Sequence, residues 1–157
     1  MEPTGERDFT PTLREVQRRR ADLHQALIDL EEAISGPAGA RLDSWIADVT
    51  KQLAALLSTL DEHIEVTERV GGLYDEIQMR APHLSNQIQR LHDEHPTLRA
   101  DTLALVERFE NDPIGGEWSV DDARDDVQRL LGRVVRHRQH GADLVWEAYN
   151  LDIGGHE

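Results

Sequence analysis

Three histidines and one arginine stand where a helical series of apolar residues should continue. They are His63, His95, His137 and Arg20, one from each of four long segments. A neutral imidazole suits Fe, Zn, Cu or Ni, whereas a guanidinium stays protonated and carries only hydrogen-bond donors. Each would be costly as an isolated core residue, because a buried polar group without a partner costs about 1–3 kcal/mol. We therefore expect the four to meet in one polar layer, a candidate metal site.

The spacing along the segments favours a common layer. In antiparallel neighbours, Arg20 is level with His63, and His95 is level with His137. The two levels differ by about four residues, or ~6 Å at the rise of an α-helix. The four side chains should then converge within ~10 Å, about one interhelical distance, at one end of the bundle. For any one of these histidines taken alone, a hydrogen-bonded core residue is the commoner explanation.

Four amphipathic segments position these residues. Breaks at 35–39, 71–72 and 111–116 separate them, Thr10 or Thr12 can cap the first helix, and Ser119 can cap the last. Short connections predict an all-α fold, an up-down antiparallel four-helix bundle over residues 13–153. Residues 1–12 and 154–157 are expected to be tails, and residues 73–81 are either a short helix or a lead-in to the third helix. The apolar stripes, at nearly heptad spacing, are Leu13, Val16, Leu23, Leu27, Leu30 and Ile34; Leu42, Val49, Leu53, Leu56, Leu60 and Val70; Leu84, Ile88, Leu91, Leu98, Leu105 and Phe109; and Val127, Leu130, Val134, Leu144 and Ala148.

Composition narrows the function classes. The 157 residues include 31 acidic and 17 basic side chains, giving a formal charge of −14, which disfavours binding to nucleic acid or an anionic membrane. The absence of cysteine excludes disulfides, iron–sulfur clusters and thiolate zinc sites. With no apolar segment long enough to span a bilayer, a cytoplasmic location is expected. No phosphate loop, nucleophile elbow or kinase signature occurs, so no catalytic residue is assigned and a binding role is favoured.

Several motifs together resemble a known family. They are LDEHIEVTE at 60–68 followed by GGLYDE at 71–76, LHDEH at 91–95, and HRQHGADLVWEAYNLDIGG at 137–155. On these the chain resembles the hemerythrin-like (HHE cation-binding) family, in particular its small actinobacterial members, over about residues 13–153. The resemblance implies a non-haem di-iron centre inside the bundle. Its ligands would be a histidine from helix one, H-x3-E from helix two, H-x3-H from helix three and H-x4-D from helix four.

The first two helices match this ligand pattern in part. Arg20 stands where the family has its first histidine, and His24 follows one turn later. His63 matches the second-helix histidine, but Thr67 occupies the carboxylate position, and Glu68 is the nearest acid.

The last two helices also match in part. His95 matches one third-helix histidine, and His92, three residues before it, is the nearest second imidazole. His137 matches the fourth-helix histidine, but alanine occupies the carboxylate position, leaving Asp143 and Glu147 as the nearest acids. Both bridging carboxylates are thus absent from their expected positions. Two close metal ions need anionic bridges to offset their repulsion, so the sequence predicts a single ion or a weakly held pair.

Two alternative functions are predicted from these residues. In the first, an altered hemerythrin-like site binds iron, with a role in oxygen, nitric oxide or redox response and a small diatomic ligand. Its metal ligands would be His63, His95 and His137, assisted by His24, Glu68 or Asp143; Arg20, Thr67, His92, His140 and Glu147 complete the candidate site.

In the second, the chain is a metal-free interaction or regulatory bundle in which Arg20 takes the place of the cation and pairs with Glu68 or another acid. A haem or small-molecule pocket using one inward histidine is a weaker third alternative. Neither nucleic acid nor membrane is an expected partner, and a homodimer is compatible with the sequence.

Overall fold

The computed structural model describes residues 10–154, with side chains through Tyr149. Within these residues it contains no β-strand, only an isolated bridge between Ile114 and Trp118, and the all-α class is confirmed. Short 3₁₀ turns precede the second and fourth helices. The α-helices are α1 Pro11–Ser35, α2 Leu42–Glu68, α3 Leu73–Arg80, α4 Ser85–Asn111 and α5 Val120–Gly154.

The helix limits settle how much of the expected tails is helical. Helix α1 begins at Pro11, so the last two residues of the expected N-terminal tail belong to it. Thr10 of that tail caps α1, and Gly154, expected to begin the C-terminal tail, is the last residue of α5. Residues 1–9 and 155–157 lie outside the described residues. Residues 73–80 form a short helix, one of the two alternatives that the sequence left open.

Capping side chains fix the helix starts that the sequence indicated. The Thr10 hydroxyl accepts a hydrogen bond from the Leu13 amide at 3.1 Å, and Pro11 fills the first helical position, where its missing N–H has no intrahelical role. The Ser119 hydroxyl likewise accepts from the Asp122 amide at 3.0 Å. These local contacts need no tertiary information, which is why the sequence could predict them.

One position of the predicted apolar stripes is wrong. Val70 is 97% exposed. Helix α2 ends at Glu68, and the chain turns through Gly71, whose φ of 76° is in the left-handed region that favours glycine. The helical periodicity that would bury Val70 therefore stops before it.

The apolar interior is divided into two clusters. The larger one includes Leu23, Leu30, Leu53, Leu60, Leu98, Val127 and Val134. The smaller one includes Leu13, Val16, Val66, Leu73, Ile77, Leu91, Leu144 and Tyr149, and it depends on α3.

The polar residues of the four stripes lie between these two clusters. On α1, for example, Val16 belongs to the smaller cluster and Leu23 to the larger one, with Arg20 between them. On the other long helices, His63, His95 and His137 likewise lie between a residue of the larger cluster and a residue of the smaller one. The expectation of a layer at one end of the bundle is therefore corrected to an internal layer, because α3 and the last turns of α5 cover that end.

Ion pairs join the long helices along their edges. They connect α1 to α2, α2 to α4, and α4 to α5, through Arg19–Glu62, Arg99–Asp61 and Arg133–Asp101 at 3.0, 2.7 and 3.3 Å. Such exposed or half-exposed pairs contribute little to stability. No helix in residues 10–154 has the length and apolar character needed to cross a membrane.

The adjacent valines of α5 test the burial of this interior. Val134 is fully buried and Val135 is 50% exposed. We expect Val134→Ala to lower the free energy of unfolding by about 2 kcal/mol, because two methyl groups are lost and a cavity remains. Val135→Ala should change it by less than about 0.5 kcal/mol. Urea denaturation followed by circular dichroism measures both, and equal losses would contradict the assignment of the α5 core face.

Candidate metal centre

Three buried imidazoles meet at the centre of the polar layer. They are His63 on α2, His95 on α4 and His137 on α5, and each is no more than 6% exposed. Nε2 of His137 lies 3.2 Å from Nε2 of His63 and 3.1 Å from Nε2 of His95. One ligand nitrogen from each ring lies within 4.8 Å of the others.

Two carboxylates orient two of these rings from behind. Glu68 of α2 contacts Nδ1 of His95, and Glu94 of α4 lies 2.6 Å from Nδ1 of His137. Each carboxylate comes from the helix next to the imidazole that it contacts. An ionised carboxylate only accepts hydrogen bonds, so both Nδ1 atoms must carry the hydrogen and donate it.

The proton assignment leaves lone pairs facing each other. A neutral imidazole has one N–H, so Nε2 of His95 and Nε2 of His137 are both unprotonated. These two atoms are 3.1 Å apart with no hydrogen between them. The Tyr74 hydroxyl, 3.3 Å from Nε2 of His95, can donate to only one of them. The contact is repulsive unless a shared proton or a cation lies there.

His63 adds a second unsatisfied group. Its Nδ1 is buried without a hydrogen-bond partner among the described residues. If the proton is on Nε2, His63 can donate to His137 and Nδ1 remains an unpaired acceptor. If the proton is on Nδ1, that N–H has no acceptor and a third lone pair faces the other two. Neither tautomer satisfies the ring.

Burial keeps the three rings neutral. Desolvation lowers the pKa of His63 well below 6.5, and the neighbouring histidines lower it further. It also lowers the pKa of His95 to about 4, although the hydrogen bond to Glu68 acts in the opposite direction. Burial lowers the pKa of His137 despite its contact with Glu94. Neutral imidazole is the form that binds a metal ion.

The ligand spacing fits one small cation. Zn–N bonds of about 2.0–2.1 Å at tetrahedral angles place ligand nitrogens roughly 3.3–3.4 Å apart, close to the two observed Nε2 distances of 3.1 and 3.2 Å. Metal-ligating histidines usually donate their other N–H to a carboxylate or carbonyl, as His95 and His137 do. Of the residues with described side chains, these three form the one group of three or more His, Asp or Glu donors close enough to share an ion.

Two further side chains complete the inner face of the layer. Thr67 is buried, and its hydroxyl donates to the His63 carbonyl at 2.9 Å, which satisfies it within α2. Tyr74 of α3 stacks on the His95 ring, with centroids 5.9 Å apart. Burial raises the pKa of Tyr74, so it is a neutral phenol and a hydrogen-bond donor at neutral pH.

Each orienting carboxylate also faces an outer histidine. His92 Nε2 lies 3.5 Å from Glu68, and His140 Nδ1 lies 3.9 Å from Glu94. Both outer rings are about half exposed. The candidates His92 and His140 therefore lie behind the inner imidazoles rather than among them.

The remaining candidates lie away from the inner cluster. His24 is exposed, and Asp143 is exposed and accepts a hydrogen bond from Gln139 at 3.1 Å. Glu147 lines a separate surface groove with Asp143. Glu68, considered as a ligand, contacts the outer nitrogen of His95 instead.

The expected pair of Arg20 with Glu68 is not formed. Glu68 faces His95 and His92, and no carboxylate of the described side chains lies within 4 Å of the Arg20 guanidinium. Arg20 instead lines a small cavity beside His63 and His137.

Three residues of this region were not among the sequence candidates: Glu94, Tyr74 and Arg138. Glu94 precedes His95 but faces α5, about 100° around the helix, so the stripe of α4 gives no signal for it. In comparisons with family models, with curated proteins and with solved structures, the chain finds no match.

The lowered histidine pKa values predict how stability depends on pH. Between about pH 6.5 and pH 4, the unfolded chain takes up protons that the folded, metal-free protein does not. The free energy of unfolding should therefore be highest above pH 6.5 and fall as the pH is lowered, by up to about 1.4 kcal/mol per pH unit for each such histidine. Urea titrations of chelator-treated protein at pH 7.5, 6.0 and 5.0 measure this slope.

The His63→Leu variant isolates one contribution. In this variant the free energy of unfolding should depend less on pH, and at pH 7.5 it should be little changed. The reason is that an apolar side chain takes the place of a polar ring that has an unpaired nitrogen. His24→Leu is the matched control, since it removes a histidine outside the cluster. Equal flattening in the two variants would contradict a role for the buried layer.

Proposed function

We propose that the protein is a hemerythrin-like metal-binding bundle that holds a single divalent transition-metal ion on His63, His95 and His137. The observation that carries the proposal is the 3.1 Å contact between two Nε2 atoms that both bear lone pairs. A cation bound between the rings replaces this repulsion with three coordinate bonds. It would also accept the lone pair of His63 Nε2, although the Nδ1–H of that ring then keeps no acceptor among the described residues.

The up-down antiparallel topology is part of the same proposal. Contacts between α1 and the α2 segment support it: Arg19 meets Glu62, whereas Glu15, earlier on α1, meets Arg69, the residue that follows α2. Rising residue numbers on one helix thus meet falling numbers on its neighbour.

Two substitutions relative to the family pattern favour one ion over two. Thr67 is already hydrogen bonded to the backbone, and a hydroxyl brings no negative charge to bridge two cations. Arg20 places a permanent positive charge where a second ion would have its histidine. A second divalent ion at this position would be repelled by both the first ion and the guanidinium.

The donor set points to an imidazole-binding metal. Three neutral nitrogens suit Fe, Zn, Co, Cu or Ni, and iron is the metal that the resemblance implies. When bound, such an ion supplies a Lewis acid, and iron supplies a redox centre as well. The chain holds two of the three imidazoles, His95 and His137, in one tautomer through Glu68 and Glu94. It surrounds the site with two apolar clusters that limit access of water.

The three-nitrogen set leaves room for a ligand from solution. A tetrahedral ion with three protein ligands keeps a fourth position open, as catalytic and ligand-binding sites do. This fits a role in oxygen, nitric oxide or redox response. The metal-free alternative relied on pairing of Arg20 with Glu68 or another acid. Glu68 faces His95, and no carboxylate of the described side chains lies within 4 Å of the Arg20 guanidinium, so that support is missing.

Metal uptake tests the proposal directly. We expect chelator-treated protein to bind one Co²⁺, Zn²⁺ or, without oxygen, Fe²⁺ per chain, measured by equilibrium dialysis and elemental analysis. Glu94→Gln should weaken metal affinity by about 10- to 100-fold, since it replaces the charged acceptor that orients His137 with a neutral amide oxygen.

Glu110→Gln is the matched control, because Glu110 lies on the exposed face of the same helix. Its metal affinity should equal that of the wild type. Two ions per chain, or no uptake of any of these metals, would overturn the proposal, and the second result would favour the metal-free bundle.

A further inference from the structure

A small cavity lies directly against the histidine cluster. Its volume is about 20 Å³, which is room for roughly one water-sized atom. Side chains from all five helices line it. The polar ones are Arg20, His63, Thr67, Tyr74, His137 and Arg138.

The two arginines of this cavity lack acidic partners. Arg20 comes from α1 and Arg138 from α5, and both are half-buried. Among the described side chains, neither guanidinium has a carboxylate within 4 Å. Nε of Arg138 is buried with no hydrogen-bond partner, as are Nε of Arg19 and Nε of Arg133. Arg19, Arg124 and Arg133, which are also half-buried, each have a carboxylate within 4 Å.

This lack of partners is unexpected in a chain with 31 acidic residues. The two guanidiniums also lie close enough to repel each other. Burial lowers the pKa of Arg20, and the charge of Arg138 lowers it further. Both charges in turn lower the pKa of His63, so they act on the cluster itself.

The nearest acids cannot neutralise the pair. Glu68 and Glu94 face the Nδ1 atoms of His95 and His137, and neither lines the cavity. The cavity therefore has two fixed positive charges and no negative one, while an ion on the three Nε2 atoms would add more positive charge. The missing component is an anion.

We propose that Arg20 and Arg138 hold a small anion in this cavity as the exogenous ligand of the ion bound by the three histidines. The inference rests on the proposed function, and it names the ligand class. Each guanidinium offers several N–H donors on a planar head, which suits it to hold an anion. The cavity has room for about one atom, so the ligand is a monatomic or rod-shaped anion that enters it by one donor atom.

Azide binding to the Co²⁺-loaded protein tests the inference. Azide that coordinates Co²⁺ changes its visible absorption, so a titration gives an apparent affinity. We expect saturable binding by the wild type and an affinity at least 10-fold weaker for Arg20→Leu and for Arg138→Leu, because each loses charge-assisted hydrogen bonds. Arg20→Lys, which keeps the charge, should recover part of the loss. Phosphate, which is tetrahedral rather than monatomic or rod-shaped, should not compete with azide.

Arg136→Leu is the matched control, since Arg136 is an exposed arginine two residues from Arg138. Each variant must first bind one Co²⁺ and retain its helical circular dichroism, and Arg20→Gln and Arg138→Gln replace any leucine variant that fails to fold. If the wild type takes up no Co²⁺, the proposed function fails, and the inference fails with it. If Co²⁺ binds but azide affinity is the same in Arg138→Leu and Arg136→Leu, or phosphate displaces azide, the inference alone is overturned.

Discussion

Two carboxylates hold two buried imidazoles so that their unprotonated nitrogens face each other 3.1 Å apart. Among the described side chains, the Tyr74 hydroxyl can donate to the His95 nitrogen, and one tautomer of His63 can donate to the His137 nitrogen. No hydrogen then lies between the two nitrogens themselves, and that tautomer leaves Nδ1 of His63 as an unpaired acceptor. The orientation of the two imidazoles is set by contacts between helices and not within one helix. Glu68 reaches from α2 to His95 on α4, and Glu94 reaches from α4 to His137 on α5, so the repulsive contact is maintained by the relative placement of three helices.

The polar layer that contains this geometry lowers the stability of the surrounding bundle. Burial of the three imidazoles lowers their pKa values, and at neutral pH the rings remain uncharged in the middle of two apolar clusters. The same burial leaves Nδ1 of His63 without a partner. A layer of leucines would satisfy the packing with none of these penalties. The polar layer is therefore accounted for by the proposed cation site rather than by a contribution to stability.

The sequence alone could predict the positions of the three inner imidazoles, but it could not predict which side chains contact them. His63, His95 and His137 occupy slots of apolar stripes, and helical periodicity alone places those slots inside the bundle. Glu68 and Glu94 lie off the stripes, and their contacts depend on the rotation of each helix and on which neighbour it faces. Val70 shows the complementary error, because periodicity does not reveal where a helix stops. Arg20 could be assigned to the layer, but its lack of an acid could not be foreseen, since the direction of Glu68 was unknown.

The division of the interior into two clusters implies that the bundle does not have one uniform local stability. The smaller cluster depends on α3, a helix of 8 residues, and an isolated helix of that length is not stable in water. The larger cluster joins all four long helices. Local opening of the end covered by α3 would therefore cost less free energy than global unfolding. Such opening would uncover the histidine layer from one side while the larger cluster stays folded, which gives ions a route of exchange. An ion bound in the layer would in turn couple the two clusters into one cooperative unit.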